Sequence, residues 1–457
     1  MGPDGEVPVT ADPGETPART ADAAMVADLT AAPQAVEAAA PPDLLAQSLG
    51  QYLRAWWLKV RGGDSGVLPV LLAMVVVAVV FEIITPQHAF LRPSNLVYIF
   101  GLSTVYMVLA IAETVVLLLA EIDLSVGAVA LIGGVIAFKV VQSWPWWVAI
   151  LAGLVGCGVF GALQGTLTAR LKIPSFVVTL AGFLLASGIL IVALGGADGS
   201  VSLDTTKFSQ AVIYDLVQGT ITPVVGWILL AVVVGVWGTA LWLRTARRRR
   251  QGLVAPPKSV VAIRIALVAL VGVGVVAICN VNRGTALKTV QGGPWVIPIV
   301  LVVLGAWTLL LQRTRFGRYL YAIGGNPEAA RRAGVSLAGI RTWAFALCSA
   351  TAGLGGILLG SFFFGQYSTN TADPGQLVLY SVAAAVIGGV SLFGGRGKPV
   401  HGVLGGLLIG GIAYGVSLLN LGSLSTPLQY ILPGAVLLAA VLIDVRSRRG
   451  AGRVTRV

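Results

Sequence analysis

Long apolar segments separated by short polar ones dominate the pattern of this chain. Twelve segments each hold about 20 mostly apolar residues, the length that an α-helix needs to cross a bilayer. They lie near 67–85, 94–118, 123–142, 145–169, 174–195, 223–243, 260–279, 295–312, 342–364, 375–393, 400–420 and 427–444. The pattern predicts an all-α polytopic membrane protein with about twelve transmembrane helices.

Composition and charge agree with this class. Apolar residues make up 56% of the chain and charged residues only 11%, whereas soluble domains carry about a quarter charged residues. The net charge is +12. If the twelve spans alternate from a cytoplasmic N-terminus, the outer segments and span ends hold only Arg92, Lys139, Lys207, Arg283 and Lys288. This bias follows the positive-inside rule. It predicts two cytoplasmic termini and a lipid bilayer, rather than nucleic acid, as the partner of the basic charge.

Composition shifts divide the chain into four parts. Residues 1–43 are acidic and rich in Ala and Pro, which predicts a disordered cytoplasmic tail. Residues 44–62 place leucines and tryptophans at helical spacing, which predicts an interfacial amphipathic helix. Residues 63–445 form the transmembrane domain, and 446–457 form a basic cytoplasmic tail.

Two cytoplasmic loops are predicted inside the transmembrane domain, at 244–259 and 313–341. The first carries four consecutive arginines, Arg247 to Arg250, which favours a topology clamp against anionic lipid of the inner leaflet.

No resident cofactor is expected. Cys157, Cys279 and Cys348 fall in or at the ends of spans, and they form no CxxC or Cys/His spacing. The nearest approach to a nucleotide-binding loop, residues 395–398, is followed by Pro399 instead of Ser or Thr.

The polar segment 325–341 lies between two long apolar spans. Glu328-Ala329-Ala330 is followed by Gly334, a pattern that predicts a short surface helix ended by a left-handed glycine. Such a helix either docks into a partner on the cytoplasmic side or is a solvated loop that only fixes topology.

Ionisable groups inside the predicted spans point to function by default. Glu113 either lines a water-filled path or is a paired structural group. Glu121, Asp123, Ser125 and Gly127 form a turn before the third span, where Asp123 or Ser125 is expected to cap the helix.

Further polar side chains are candidates for a translocation path. They are Gln164, Ser175, Thr179, Tyr380 and Ser381. Their hydroxyl and amide groups suit sugar binding, and they equally suit hydrogen bonds between helices.

Four stretches resemble the signature sequences of sugar permeases of bacterial ABC importers, of the ribose, xylose and galactose type. They are AEIDLSVG (Ala120–Gly127), IPSFVVTLAG (Ile173–Gly182), FGRYLYAIGGNPEAARRAGV (Phe316–Val335) and GGVSLFGGRGKPVHGVLGG (Gly388–Gly406). The resemblance extends over roughly residues 65–445. The first stretch, and the extra pair of spans around loop 244–259, are most similar to the xylose type.

The resemblance implies a role for the polar segment. In this family a cytoplasmic coupling helix inserts into a groove of a separate ATPase subunit, which binds ATP and Mg. The matching residues here are Glu328, Ala329, Ala330, Arg331, Arg332 and Gly334. The two arginines would form ion pairs with the ATPase. The broader family motif continues to an Ile and a Pro, but here Ile340 comes early and no Pro follows.

The function that the resemblance implies is the permease subunit of an ATP-driven importer of a monosaccharide, D-xylose or a related sugar, in the bacterial plasma membrane. The other expected partners are an extracytoplasmic sugar-binding protein and a second copy of the chain. Two rival functions remain. One is a proton-coupled secondary transporter with Glu113 as relay, which the basic coupling-like loop opposes. The other is a membrane enzyme using Glu121 and Asp123, which have no nearby His, Lys or metal-ligand set in sequence.

Overall fold

The computed structural model of the chain describes residues 48–61, 66–284, 289–369 and 373–454. The predicted tail 1–43 and the start of the predicted helix 44–62 lie outside the described residues. Within them the helices are α1 (Leu49–Arg61), α2 (Leu68–Ile84), α3 (Pro93–Leu117), α4 (Val126–Val140), α5 (Trp146–Leu171), α6 (Ser175–Leu194), α7 (Phe208–Gln218), α8 (Pro223–Arg250), α9 (Lys258–Asn280), α10 (Val296–Arg313), α11 (Arg315–Gly325), α12 (Pro327–Arg332), α13 (Leu337–Phe362), α14 (Pro374–Gly388), α15 (Pro399–Leu418) and α16 (Ser425–Val454).

Each of the twelve predicted spans coincides with an apolar helix in the described part of the chain. Nine helical stretches there are long and apolar enough to cross a bilayer, while α2, α4 and α14 are shorter. The all-α, multi-pass class is therefore confirmed. The number of crossings and the cytoplasmic side of both termini stay predictions. The backbone remains helical to Val454, so much of the predicted basic tail 446–457 continues α16.

Two compact units are present. The described residues of the smaller unit are 48–58 and 237–265, and those of the larger unit lie within 59–236 and 266–454. In the smaller unit the guanidinium of Arg264 donates a hydrogen bond of 2.5 Å to the hydroxyl of Tyr52 on α1. Helix α1 falls within the segment 44–62 for which an amphipathic helix was predicted. Its place at the membrane surface stays a prediction.

The larger unit contains an internal repeat. The long helices α3 and α13 have 25 and 26 residues, and most of their length is buried. Each is followed by a 15-residue helix, α4 or α14. The most extensive packing joins α13 to α5 and α3 to α15, so the long helix of each half packs on the third helix of the other half. Such a repeat is common in transporters.

Close helix approach depends on glycine. Gly402, Gly406 and Gly410 of α15 recur every fourth residue, and a Cβ on any of them would lie 2.0–2.8 Å from atoms of α3. A side chain would force the two helices apart. The predicted small-residue packing faces are therefore present, and they hold α3 and α15 antiparallel.

The connections gather at the two ends of the larger unit. At one end, strands β1 (Ser200–Ser202) and β2 (Gln366–Ser368) pair antiparallel, with Val201 opposite Tyr367. At the other end, the turn after α3 contacts the end of α11 and the segment before α15. The second end holds the candidate functional residues.

Candidate functional site

The short helix α12 carries the coupling residues predicted from the sequence. The side chain of Asn326 caps it by accepting a 3.0 Å hydrogen bond from the Ala329 amide, and Pro327 occupies its first turn. Gly334 follows with φ of +79°, the left-handed conformation that the sequence predicted. The cap was not predicted, although Asn before Pro at a helix start is a usual signal.

One carboxylate on α12 binds two arginines. Glu328 accepts hydrogen bonds of 2.8 and 3.0 Å from Arg331 and of 3.0 Å from Arg332. The bonds from Arg331 and then from Arg332 lower the pKa of Glu328, and the same contact raises the pKa of Arg331. Arg331 and Arg332, which were expected to pair with an ATPase, therefore both pair with Glu328 on the same helix. The three side chains together carry one net positive charge.

The other face of α12 is buried. Ala330 is 5% exposed and belongs to an apolar cluster with Leu118, Leu320 and Ile323. Ala329 is exposed, so the alanine pair has one side toward the protein and one toward solvent. The helix is therefore fixed to the fold by a methyl group while its charged residues stay accessible.

Helix α11 connects α12 to the ends of the transmembrane helices. A Cβ on Gly324 would lie 1.8 Å from the carbonyl oxygen of Leu118, which accepts a 2.9 Å hydrogen bond from the Gly395 amide. The hydroxyl of Tyr321 donates to the Gly397 carbonyl at 2.7 Å. The end of α11 is thereby held between the turn after α3 and the segment before α15.

An ion pair makes a second connection to the same turn. Arg341, on the second turn of α13, lies 3.2 Å from the carboxylate of Glu121, and the two side chains are 26% and 14% exposed. The sequence placed Glu121 in a turn but gave no partner for it. The pair joins the helix that follows α12 to the turn between α3 and α4.

Buried carboxylates lie just beyond this ion pair. Asp123 donates its backbone N–H to Glu113 at 3.2 Å, and the Asp123 carboxylate accepts bonds of 2.8 and 2.6 Å from the amide and hydroxyl of Ser125. The expected cap of α4 is wrong in detail. Ser125 occupies the N-cap position with helical φ/ψ, and its side chain makes no capping bond. A cap requires an extended backbone there, so Asp123 fixes Ser125 instead.

Three further predicted residues join this cluster. Ser125 Oγ lies 3.0 Å from Gln164 Oε1 of α5, and the Ile122 amide donates to Ser175 Oγ at 3.4 Å. The hydroxyl of Thr179 lies 3.3 Å from the Ile122 carbonyl. Side chains from α3, α5 and α6 thus converge around the α3–α4 turn. We name this group the buried polar cluster; its members are Glu113, Asp123, Ser125, Gln164, Ser175 and Thr179.

Two polar atoms of the buried polar cluster have no hydrogen-bond partner. They are Glu113 Oε2 and Gln164 Nε2. Glu113 is completely buried, so its other oxygen holds the turn while this one faces the interior unpaired. Among the residues that the structure describes, no three His, Cys, Asp or Glu side chains are placed to hold a metal ion.

Tyr380 and Ser381 lie apart from the buried polar cluster, on α14. The Tyr380 hydroxyl donates to the Gln429 carbonyl at 2.6 Å, and Ser381 donates to the Val378 carbonyl of its own helix at 2.8 Å. The first bond joins α14 to α16, and the second lies within α14. Their place on a translocation path stays a prediction.

The first turns of the two short helices meet. A Cβ on Gly127 of α4 would lie 2.4 Å from the carbonyl oxygen of Pro374 at the start of α14. Asp373, which sequence reasoning missed, caps α14 by accepting a 2.8 Å bond from the Gly375 amide. The signal for it is an Asp directly before Pro and Gly at a helix start.

Comparison with known proteins gives the class of this molecule. A family model described as branched-chain amino acid transport system / permease component matches residues 95–441. The chain is 33% identical over 399 residues to the xylose transport system permease protein XylH of Escherichia coli strain K12, covering 85% of this chain and 95% of that protein. The XylH of Haemophilus influenzae strain Rd is 32% identical, covering 86% of this chain and 99% of that protein.

A more distant relative has the same extent. The ribose import permease protein RbsC of Escherichia coli strain K12 is 26% identical over 394 residues, with 86% of this chain and 95% of that protein covered. No solved structure matches the chain. Because the family model covers well over half of the sequence, the chain belongs to this family of transport-system permease components. It is a permease of the ABC type and a multi-pass protein of the bacterial plasma membrane.

Proposed function

We propose that this chain is the permease subunit of an ATP-driven importer of a monosaccharide, and that the sugar is D-xylose or a close relative. The observation that best supports this proposal is the match to XylH, which extends over 85% of this chain and 95% of that protein. Agreement over nearly the full length of both proteins supports the same subunit role. The extra pair of helices, α8 and α9, lies inside the matched region.

In this proposal, movement of the ATPase subunit is transmitted to the permease through α12. A separate ATPase subunit, which binds ATP and Mg, docks on the exposed face of α12 around Glu328 and Arg331. A rigid helix transmits a displacement without absorbing it. Movement of α12 reaches the membrane domain by two routes: the contact of Gly324 with Leu118, and the Arg341–Glu121 ion pair.

The sugar path runs along the two short helices. At about 1.5 Å per residue, α4 and α14 each extend only about 22 Å, less than the ~30 Å hydrocarbon core. Interrupted helices of this kind form the substrate sites of many transporters. Glu113, Gln164, Ser175 and Thr179 would face the path from one half, and Tyr380 and Ser381 from the other.

Two more partners complete the importer. A binding protein delivers sugar at the end that carries β1 and β2, and a second copy of the chain forms the other half of the assembly. The permease itself supplies no nucleotide site.

The proposal is tested by affinity purification of the tagged chain from native membranes, followed by uptake of labelled sugar in proteoliposomes. We expect an ATPase subunit in stoichiometric amount, its loss on Glu328→Lys, and uptake that requires ATP. One alternative function is a proton-coupled transporter, because the buried Glu113 has a carboxylate oxygen without a hydrogen-bond partner. Uptake by the chain alone, driven by a proton gradient and lost on Glu113→Gln, would establish that alternative and overturn the importer.

A further inference from the structure

A basic pocket lies in the smaller unit, between the last turns of α8 and the first turn of α9. It encloses about 410 Å³, and its walls include Trp242, Thr245, Arg249, Arg250, Lys258 and Val261. The connection 251–257 brings the two helix ends together. The guanidinium of Arg249 donates to the Pro256 carbonyl of this connection, which holds one cation at the pocket.

Among the residues that the structure describes, no acidic side chain forms an ion pair with the three cations of the pocket. Residues 216–327 contain neither Asp nor Glu. None of the ion pairs found among the described side chains involves Arg249, Arg250 or Lys258. Like charges that converge in one concave site repel each other, and a bound anion removes this cost.

The remaining walls are apolar and indicate the depth of the pocket. Trp242 is 44% exposed and Val261 is 1% exposed. Tryptophan favours the headgroup region of a bilayer. On α8 the apolar sequence ends at Leu243, and Arg244 and then Arg247–Arg250 follow, so the pocket lies where the hydrocarbon region gives way to headgroups.

We propose that this pocket binds the phosphate of an anionic phospholipid headgroup. Arg249, Arg250 and Lys258 neutralise the phosphate, while the exposed face of Trp242 contacts the glycerol and the first carbons of an acyl chain. The site is distinct from the buried polar cluster and from α12. A concave site of this volume fits one small headgroup, whereas a protein partner requires a broad surface.

Native mass spectrometry of the full-length protein in mild detergent tests this site. The probe is phosphatidylglycerol, titrated beside phosphatidylcholine with the same acyl chains. The pocket variant is Arg249→Gln/Arg250→Gln/Lys258→Gln. The matched control is Arg244→Gln/Arg247→Gln/Arg248→Gln, which removes the same charge from exposed positions of α8 that do not line the pocket. Gel filtration of both variants is used to check that they remain folded.

A basic residue that contacts an anionic headgroup contributes roughly fivefold to the affinity for that lipid, whereas the three control arginines do not line the pocket. We therefore expect phosphatidylglycerol binding to be about a hundredfold weaker for the pocket variant and less than about fivefold weaker for the control. The pocket variant should bind phosphatidylglycerol no more tightly than phosphatidylcholine.

Three results would overturn the proposal. Equal losses in the two variants would mean that diffuse charge alone attracts lipid. Displacement of the lipid by millimolar inorganic phosphate would make the pocket a site for the free ion. Unchanged lipid binding by the pocket variant, together with loss of a co-purifying protein, would make it a protein-docking surface.

Discussion

A single carboxylate, Glu328, organises the charge of α12. Two arginines hold it ionised on an exposed helix of six residues. Because Arg331 and Arg332 share this partner within the chain, both guanidinium groups are held on one face of the helix. The sequence pattern showed the three residues but not their mutual bonds.

The lowered pKa of Glu328 predicts a flat pH profile for coupling. A carboxylate with a depressed folded pKa contributes its stabilisation above the ordinary Glu value, about 4.3, and loses it only as pH falls through the lowered value. We therefore expect ATPase binding to be constant between about pH 5.5 and 8. The measurement is affinity of the purified subunits against pH. A titration in that window that vanishes in Glu328→Gln would contradict the prediction.

The Glu121–Arg341 pair is expected to matter for transport more than for assembly. Glu121→Gln leaves Arg341 partly buried without its counter-charge, at a cost of about 1–2 kcal/mol after allowing for partial exposure. Uptake should fall while the ATPase still co-purifies. The charge-reversed pair Glu121→Arg/Arg341→Glu should recover part of the uptake, and Asp198→Asn, an exposed acid, serves as control. Full uptake by Glu121→Gln would remove this connection from the mechanism.

Among the elements, α11 is the one that joins α12 to the ends of the long helices. Its position depends on contact between backbones, which no hydropathy pattern reports. The close approach of Gly324 to Leu118 and Gly395 leaves no space for a side chain, whereas the adjacent Gly325 has open space at its Cβ position.

This difference provides a matched pair of variants. Gly324→Ala should displace α11, cost about 1–3 kcal/mol through overpacking, and reduce sugar uptake strongly. Gly325→Ala should leave uptake near the original level, because nothing lies within 4 Å of the added methyl group. Thermal stability and proteoliposome uptake are measured for both. Equal behaviour of the two variants would show that the contact at Gly324 is unimportant.

The short helices α4 and α14 illustrate a limit of pattern analysis at the scale of elements. The sequence predicts spans over 123–142 and 375–393, but the helices are Val126–Val140 and Pro374–Gly388. Apolar residues just outside the helices, such as Val141 and Val390, are buried in turns, where hydropathy is the same and the backbone is not helical.

At the scale of the whole molecule, the larger unit has two distinguishable ends, and the side of the membrane on which each lies can be tested. The charge bias predicts that the end with α12 is cytoplasmic. Thr205, near β1, and Ala333, after α12, are exposed, and the three native cysteines are buried and free. A membrane-impermeant maleimide should label Thr205→Cys in intact cells and Ala333→Cys only after the membrane is opened. The reverse pattern would invert the topology.

The sequence by itself determined the class, the twelve apolar helices, the charge bias and the short helix ended by Gly334. All of these are local properties, because hydropathy, capping and a left-handed glycine act within a few turns of the chain. The signals of Asn326 and Asp373 as caps are equally local, and could have been found.

Only the tertiary structure decided which distant residues meet. The Glu121–Arg341 pair, the contact of Gly324 with Leu118, and the assembly of the buried polar cluster join parts of the chain that have no common sequence pattern. The internal repeat brings Gly127 to Pro374 in the same way. These contacts follow from how helices pack, and packing depends on the shapes of both partners at once, whereas hydropathy reports each helix separately.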